Sequence, residues 1–179
     1  MKKYRFKYSV IVILLLGLLG CAHYPLNAEL GAHDANAGYR FKNLSSTGNS
    51  DSLFVILTFS GGGTRAAALS YGVLETLRDI EIEWKGQNRR LLDEVDVISS
   101  VSGGSFTAAY YALYGDRIFE DFETRFLKKN IQGALTQRLF YPTNWFRLAS
   151  PTYNRIDMAA EYYSEHIFDH STDKFRSRI

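Results

Sequence analysis

Cysteine occurs once in the 179 residues, at Cys21, so no intramolecular disulfide can form. Long apolar runs are missing too. The stretch from Val10 to Leu19 has ten residues, where a bilayer-spanning helix needs ~20. Positive charge is scarce once Lys2, Lys3, Arg5 and Lys7 are set aside: 17 basic residues then face 19 acidic ones, a formal charge of −2. That balance argues against nucleic acid as a partner, which needs Lys and Arg clustered on a basic domain. Gly-Lys-Ser and Gly-Lys-Thr are absent, which excludes a P-loop. No aspartate is followed by glycine anywhere. There is no internal repeat and no long low-complexity tract.

Aromatic residues are plentiful by contrast, and Tyr and Phe supply 24 of the 26. They could line an apolar cleft, although core packing is the commoner use. Four basic residues precede the short apolar run, and the run ends at Leu18-Leu19-Gly20-Cys21. A basic region followed by a short apolar one is the pattern of an export signal. It resembles a bacterial lipoprotein signal, with residues 1–20 removed and Cys21 lipid-modified; Leu19 is bulkier than the usual residue there. The other reading is a plain secretory signal with an incidental cysteine. An acylated Cys21 would tether the chain to a membrane surface without spanning it. Ala22 follows, and no Asp stands there to retain such a lipoprotein in the inner membrane. By resemblance to those sorting rules the destination is the outer membrane of a Gram-negative cell.

Residues 21–52 read as a tether, ending in the polar, turn-rich stretch Asn43 to Ser52. The domain proper is expected over 53–179. Leu53 to Phe59 is almost continuously apolar, which predicts a parallel strand buried on both faces. Thr64 to Ile80 is a helical pattern, with Ala67, Tyr71 and Leu74 at spacings of four and three. Gly72 inside it costs roughly 1 kcal/mol relative to Ala, which close packing on the sheet could offset. Asp96 to Ser100 reads as a second strand and Gly103 to Tyr114 as its helix. Such a strand–helix–strand unit brings both turns to the carboxyl edge of a parallel sheet, where α/β folds place ligands. Further helices are expected over Ile118 to Leu127, Ile131 to Leu139 and Ile156 to Ile167. Tyr141 to Tyr153, with Pro142 and Pro151, reads as irregular.

Both turns carry chemistry. Ser100-Val101-Ser102-Gly103-Gly104 keeps the frame of a nucleophile elbow, with Ser100 in place of the first glycine. A strand-to-helix turn exposes the Ser102 hydroxyl over the positive end of a helix dipole. The alternative is a Ser/Gly-rich connector without catalysis. Ser60-Gly61-Gly62-Gly63-Thr64-Arg65 offers backbone N–H groups free of side-chain obstruction. They could form an oxyanion hole, or hold a phosphate at the helix N-terminus. Gly61, Gly63 and Ala66 even satisfy G-x-G-x-x-A. That fingerprint also asks for an acidic residue at the end of the second strand, where this chain has serines. The serine elbow therefore favours the oxyanion reading.

These two turns, with Tyr153-Asn154-Arg155-Ile156-Asp157-Met158-Ala159-Ala160-Glu161-Tyr162-Tyr163, resemble the patatin-like phospholipase family over Leu53 to Phe175. The resemblance implies a three-layer α/β/α fold with a mainly parallel sheet. It implies hydrolysis of the acyl esters of a membrane lipid or phospholipid, with no metal or organic cofactor. Carried over, Ser102 is the nucleophile, Gly62 and Gly63 stabilise the oxyanion, and Arg65 braces their loop. The family pairs its serine with an aspartate in a later Asp-Gly-Gly or Asp-Gly-Ala motif. No such motif occurs here, so the expectation is an N-terminal part of a longer protein, inactive by itself.

Residues present here serve less well as the base. His166 and His170 follow Ser102 in the chain order of a Ser-Asp-His hydrolase. His166, however, sits on an amphipathic helix and His170 in a polar stretch. Asp157 is placed to cap its helix or pair with Arg155. Asp96, early in a strand, reads as structural, and His23 and His33 carry no visible role. Two rival classes remain: a nucleotide- or phosphate-binding module using Gly61 to Gly63, and a non-catalytic envelope lipoprotein that keeps the fold.

Overall fold

The computed structural model describes residues 49–50 and 52–169. Those up to Lys129 belong to one compact unit and those from Asn130 to another. Cys21, the expected signal and most of the tether lie outside the described residues.

The first unit begins with strand β1, Val55–Phe59, followed by helix α1, Gly63–Asp79. Next comes a hairpin of β2, Glu81–Trp84, and β3, Gln87–Arg90. Strand β4, Val95–Ser100, leads into helix α2, Gly103–Tyr114. Helix α3, Ile118–Phe122, continues into a π-helical turn, Glu123–Leu127. β1 and β4 pair directly and in parallel, in register from Ile56 opposite Val97 to Phe59 opposite Ser100. Parallel strands with intervening and following helices place the unit in the α/β class.

The helical periodicity is realised as packing. Ala66, Ala67, Ser70, Tyr71 and Leu74 form the buried stripe of α1. The Thr107 hydroxyl of α2 donates to the Ala67 carbonyl of α1 at 2.9 Å, a buried bond that ties the two helices. Tyr71, Tyr110, Phe122 and Phe126 stack between α1, α2 and α3. The Tyr110 and Phe122 ring centroids lie 4.9 Å apart and those of Phe122 and Phe126 5.3 Å apart. Each such ring contributes roughly 1.5–3 kcal/mol by burial. These aromatics build the core.

Two expectations need correction. β1 is not buried on both faces: Phe59 is buried, but Ile56 keeps 52% of its surface exposed, because among the described residues nothing covers that side of the sheet. Gly72 is not wedged against the sheet, since a β-carbon there would meet nothing within 4 Å. The expected tether is fastened at its end. The Ser50 N–H donates to Glu94 Oε2 at 2.8 Å, Asn49 Nδ2 to Asp96 Oδ1 at 2.7 Å, and Trp84 Nε1 to Ser52 Oγ at 3.0 Å.

The second unit comprises helices α4, Ile131–Phe140, α5, Pro142–Leu148, and α6, Arg155–His166. The Pro142 segment forms a helix where an irregular stretch was expected. Proline at the first helical position lacks only a donor that would be unpaired anyway, and its fixed φ suits the helix. α6 starts with a capping box in which Asn154 and Asp157 bond each other's backbone N–H groups. Met158 and Tyr162 are its buried residues. Among the described residues no helix is long and apolar enough to cross a membrane.

Candidate active site

The parallel register sets the site. Phe59 lies opposite Ser100, so the chain leaves both strands side by side at the carboxyl edge. The Val101 N–H donates to the Phe59 carbonyl at 3.1 Å, which carries the pairing one residue further. Ser102 follows with φ 50° and ψ −118°, one of three non-glycine residues with positive φ among those described. An L-residue in such a conformation costs of order 1–3 kcal/mol and persists only where its surroundings hold it. Here the holding contacts are backbone. A β-carbon on Gly104 would fall 2.7 Å from Phe59 Cβ and 2.8 Å from the Ser60 carbonyl oxygen. On Gly103 it would strike the Gly63 backbone. Both glycines are buried, while Ser102 stays exposed with no hydrogen bond to its hydroxyl among the described residues.

The glycine loop closes over the same turn. A β-carbon on Gly61 would stand 3.3 Å from Ser102 Cβ and 3.9 Å from its Oγ. Gly62 caps α1 with φ 142°, and Gly63 opens it with φ 64°. Such values favour glycine. No side chain caps α1 or α2, and neither has an acidic residue in its first turn. The first backbone N–H groups of a helix have no intrahelical acceptor. Two uncapped, positive helix ends therefore meet beside an exposed hydroxyl, a setting that favours negative charge.

The structure thus brings Ser102, Gly62 and Gly63 into one neighbourhood. It adds Gly61, which the expected site omitted although it belongs to the same glycine run. Arg65 is exposed in the first turn of α1 and makes no hydrogen bond or ion pair among the described residues.

The alternative bases are engaged elsewhere. Asp96 accepts the Val55 N–H at 2.8 Å and Asn49 Nδ2 at 2.7 Å, fastening the start of the sheet. It also lies six residues before Ser102, roughly 20 Å along an extended chain. Asp157 completes the α6 cap. The His166 ring stacks on Tyr162 at 4.4 Å, and its Nδ1 lies 3.2 Å from the Tyr162 carbonyl oxygen. His170 lies outside the described residues.

Glu94 escaped the reading of the sequence. It is wholly buried, and accepts the Ser50 N–H and an Arg89 guanidinium hydrogen at 3.0 Å. Burial pushes its carboxyl up, but those hydrogen bonds outweigh it and hold the group below the ordinary glutamate value. Its partners are structural, and nothing in its position points to chemistry.

The sequence profile of the patatin-like phospholipase family matches residues 57–178. That range takes in the glycine loop, the serine turn and all the helices described above. No curated protein and no solved structure matches the chain.

Proposed function

The chain belongs to the patatin-like phospholipase family, and from that premise we propose that it hydrolyses acyl esters of membrane lipids or phospholipids through Ser102. The observation that carries this reading is the strained Ser102 turn, held by glycine–backbone contacts with Gly61 alongside. An acyl carbonyl carbon placed over Ser102 would be attacked by Oγ as its proton leaves. The carbonyl oxygen would gain negative charge within reach of the N–H groups of Gly62 and Gly63. Collapse would expel the alcohol portion of the lipid and leave an acyl-serine, which water then releases as the fatty acid. Arg65 is assigned support of the loop on the family resemblance alone.

The proton acceptor in this scheme is the aspartate of the family's Ser–Asp dyad. No Asp-Gly pair occurs in these 179 residues, and the engagements of Asp96, Asp157 and His166 make each a poor substitute. The scheme uses no metal or organic cofactor. The phosphate-binding alternative is disfavoured because β4 ends in Ser99 and Ser100, where the fingerprint needs a carboxylate. Cys21 is assigned as the lipid-bearing residue, and the outer membrane as the protein's place.

The test is ester turnover by the full-length protein on p-nitrophenyl butyrate. Ser102→Ala should lower it by up to ~10⁶-fold with an unchanged circular dichroism spectrum. Undiminished turnover would refute the assignment.

A further inference from the structure

Nucleophile and oxyanion loop stand on different helices. Ser102 precedes α2, while Gly62 and Gly63 open α1. Attack needs Oγ and the two N–H groups in one fixed relation, so whatever sets α2 against α1 sets the site. Catalytic groups have to be held within about 0.5 Å of the productive geometry.

Close to the site the buried positions of both helices are small. They are Ala66 and Ala67 on α1, and Gly103 and Gly104 on α2. Side chains of this size interlock little, and apolar contact has no direction. Ser70, the next buried residue of α1, spends its hydroxyl on its own helix, donating to the Ala66 carbonyl at 2.9 Å. Thr107 crosses to the other helix. It is wholly buried, as is Ala67, and its Oγ1 donates to the Ala67 carbonyl at 2.9 Å. A hydrogen bond has a preferred length and angle, so it can fix a register that Gly and Ala surfaces leave loose. Thr107 lies five residues after Ser102, and Ala67 four after Gly63. At about 1.5 Å per residue, the bond sits about 6–8 Å behind the site on both helices.

The Ala67 carbonyl does not need that bond for its own satisfaction. Inside α1 the helical pattern already gives it the Tyr71 N–H. Replacing the Thr107 hydroxyl by a methyl therefore strands no polar group. It does change a distance. A carbon stands about 3.3–3.6 Å from a carbonyl oxygen, so valine at this position would part the helices by roughly 0.5 Å.

We infer that Thr107 is a positioning residue: its hydroxyl, held on Ala67, sets Ser102 Oγ against the Gly62 and Gly63 N–H groups. This deepens the reading of Ser102 as the nucleophile and rests on it.

The experiment measures kcat and KM on p-nitrophenyl butyrate, with a urea unfolding midpoint, for full-length Thr107→Val, Thr107→Ala, Thr107→Ser and Ser102→Ala. Thr107→Val should lower kcat by about 10-fold or more with KM unchanged, because misplacement of the reacting groups is felt in the transition state. Thr107→Ala should lower kcat as well. Thr107→Ser gives up the methyl and keeps the hydroxyl, and its kcat should stay close to that of the unsubstituted protein. A merely structural role would make kcat follow the unfolding midpoint instead of the hydroxyl. The Ser and Ala variants differ by the hydroxyl alone and decide the matter even where the Val variant does not fold. Equal kcat in Thr107→Ser and Thr107→Ala would overturn the inference, as would a folded Thr107→Val protein with unchanged kcat. Turnover that survives Ser102→Ala would overturn both the inference and the reading of Ser102.

Discussion

Gly103 and Gly63 touch backbone to backbone: a β-carbon on Gly103 would lie 2.1 Å from the Gly63 carbonyl oxygen. The first residues of α1 and α2 are thereby locked together, and Ser102 stands next to the lock. Gly103→Ala should destabilise the full-length protein by about 1–3 kcal/mol or more, because backbone must move to make room. Gly63→Ala meets no atom within 4 Å, and its cost is the positive φ alone, about 1–2 kcal/mol. Urea unfolding of the two variants checks the order. If Gly103→Ala is as stable as the unsubstituted protein, the helices are not locked this way.

Glu94 predicts a pH dependence. Its folded value is held below the ordinary glutamate value. The stability it contributes is therefore complete above that ordinary value, and is lost as pH falls through the depressed one. Glu94→Gln removes the charge that faces Arg89 and should cost about 1–3 kcal/mol at pH 7. The variant should also lose less stability than the unsubstituted protein as pH falls below the ordinary glutamate value. Parallel acid limbs for the two proteins would contradict this account of Glu94.

Gly72 offers a gain. It lies inside α1 with open space where a β-carbon would go, so Gly72→Ala removes backbone freedom from the unfolded chain without a clash. Stability should rise by up to about 1 kcal/mol. A fall in the thermal midpoint would mean that something covers this part of α1.

Cys21 is tested by labelling. Cells fed radiolabelled palmitate should incorporate it into the protein, and Cys21→Ser should abolish incorporation. Equal labelling of the variant would remove the anchor from the account.

The parts of the fold legible in the sequence were those written in periodicity. α1 and α2 follow the spacing of Ala67, Tyr71 and Leu74 and the run after Gly103, and β4 follows its apolar stretch. The β2–β3 hairpin was hidden. Its turn is Lys85-Gly86, both with positive φ, and lysine is a poor signal for such a turn. The Pro142 helix is not legible, because position within a helix decides the effect of a proline, and sequence alone does not reveal where the helix starts. The docking of Asn49 and Ser50 depends on Glu94 and Asp96, more than forty residues away. The elbow was legible because small residues must surround a serine in that conformation. That Gly61 is the glycine against Ser102 needed the register of β1 and β4.

The central claim is that Ser102 is the nucleophile. It is tested most directly by treating the full-length protein with a fluorophosphonate and locating the adduct by mass spectrometry. The account predicts a single phosphonylated serine, Ser102, and no adduct in Ser102→Ala. An adduct on another serine, or none in a preparation that still cleaves esters, would contradict it.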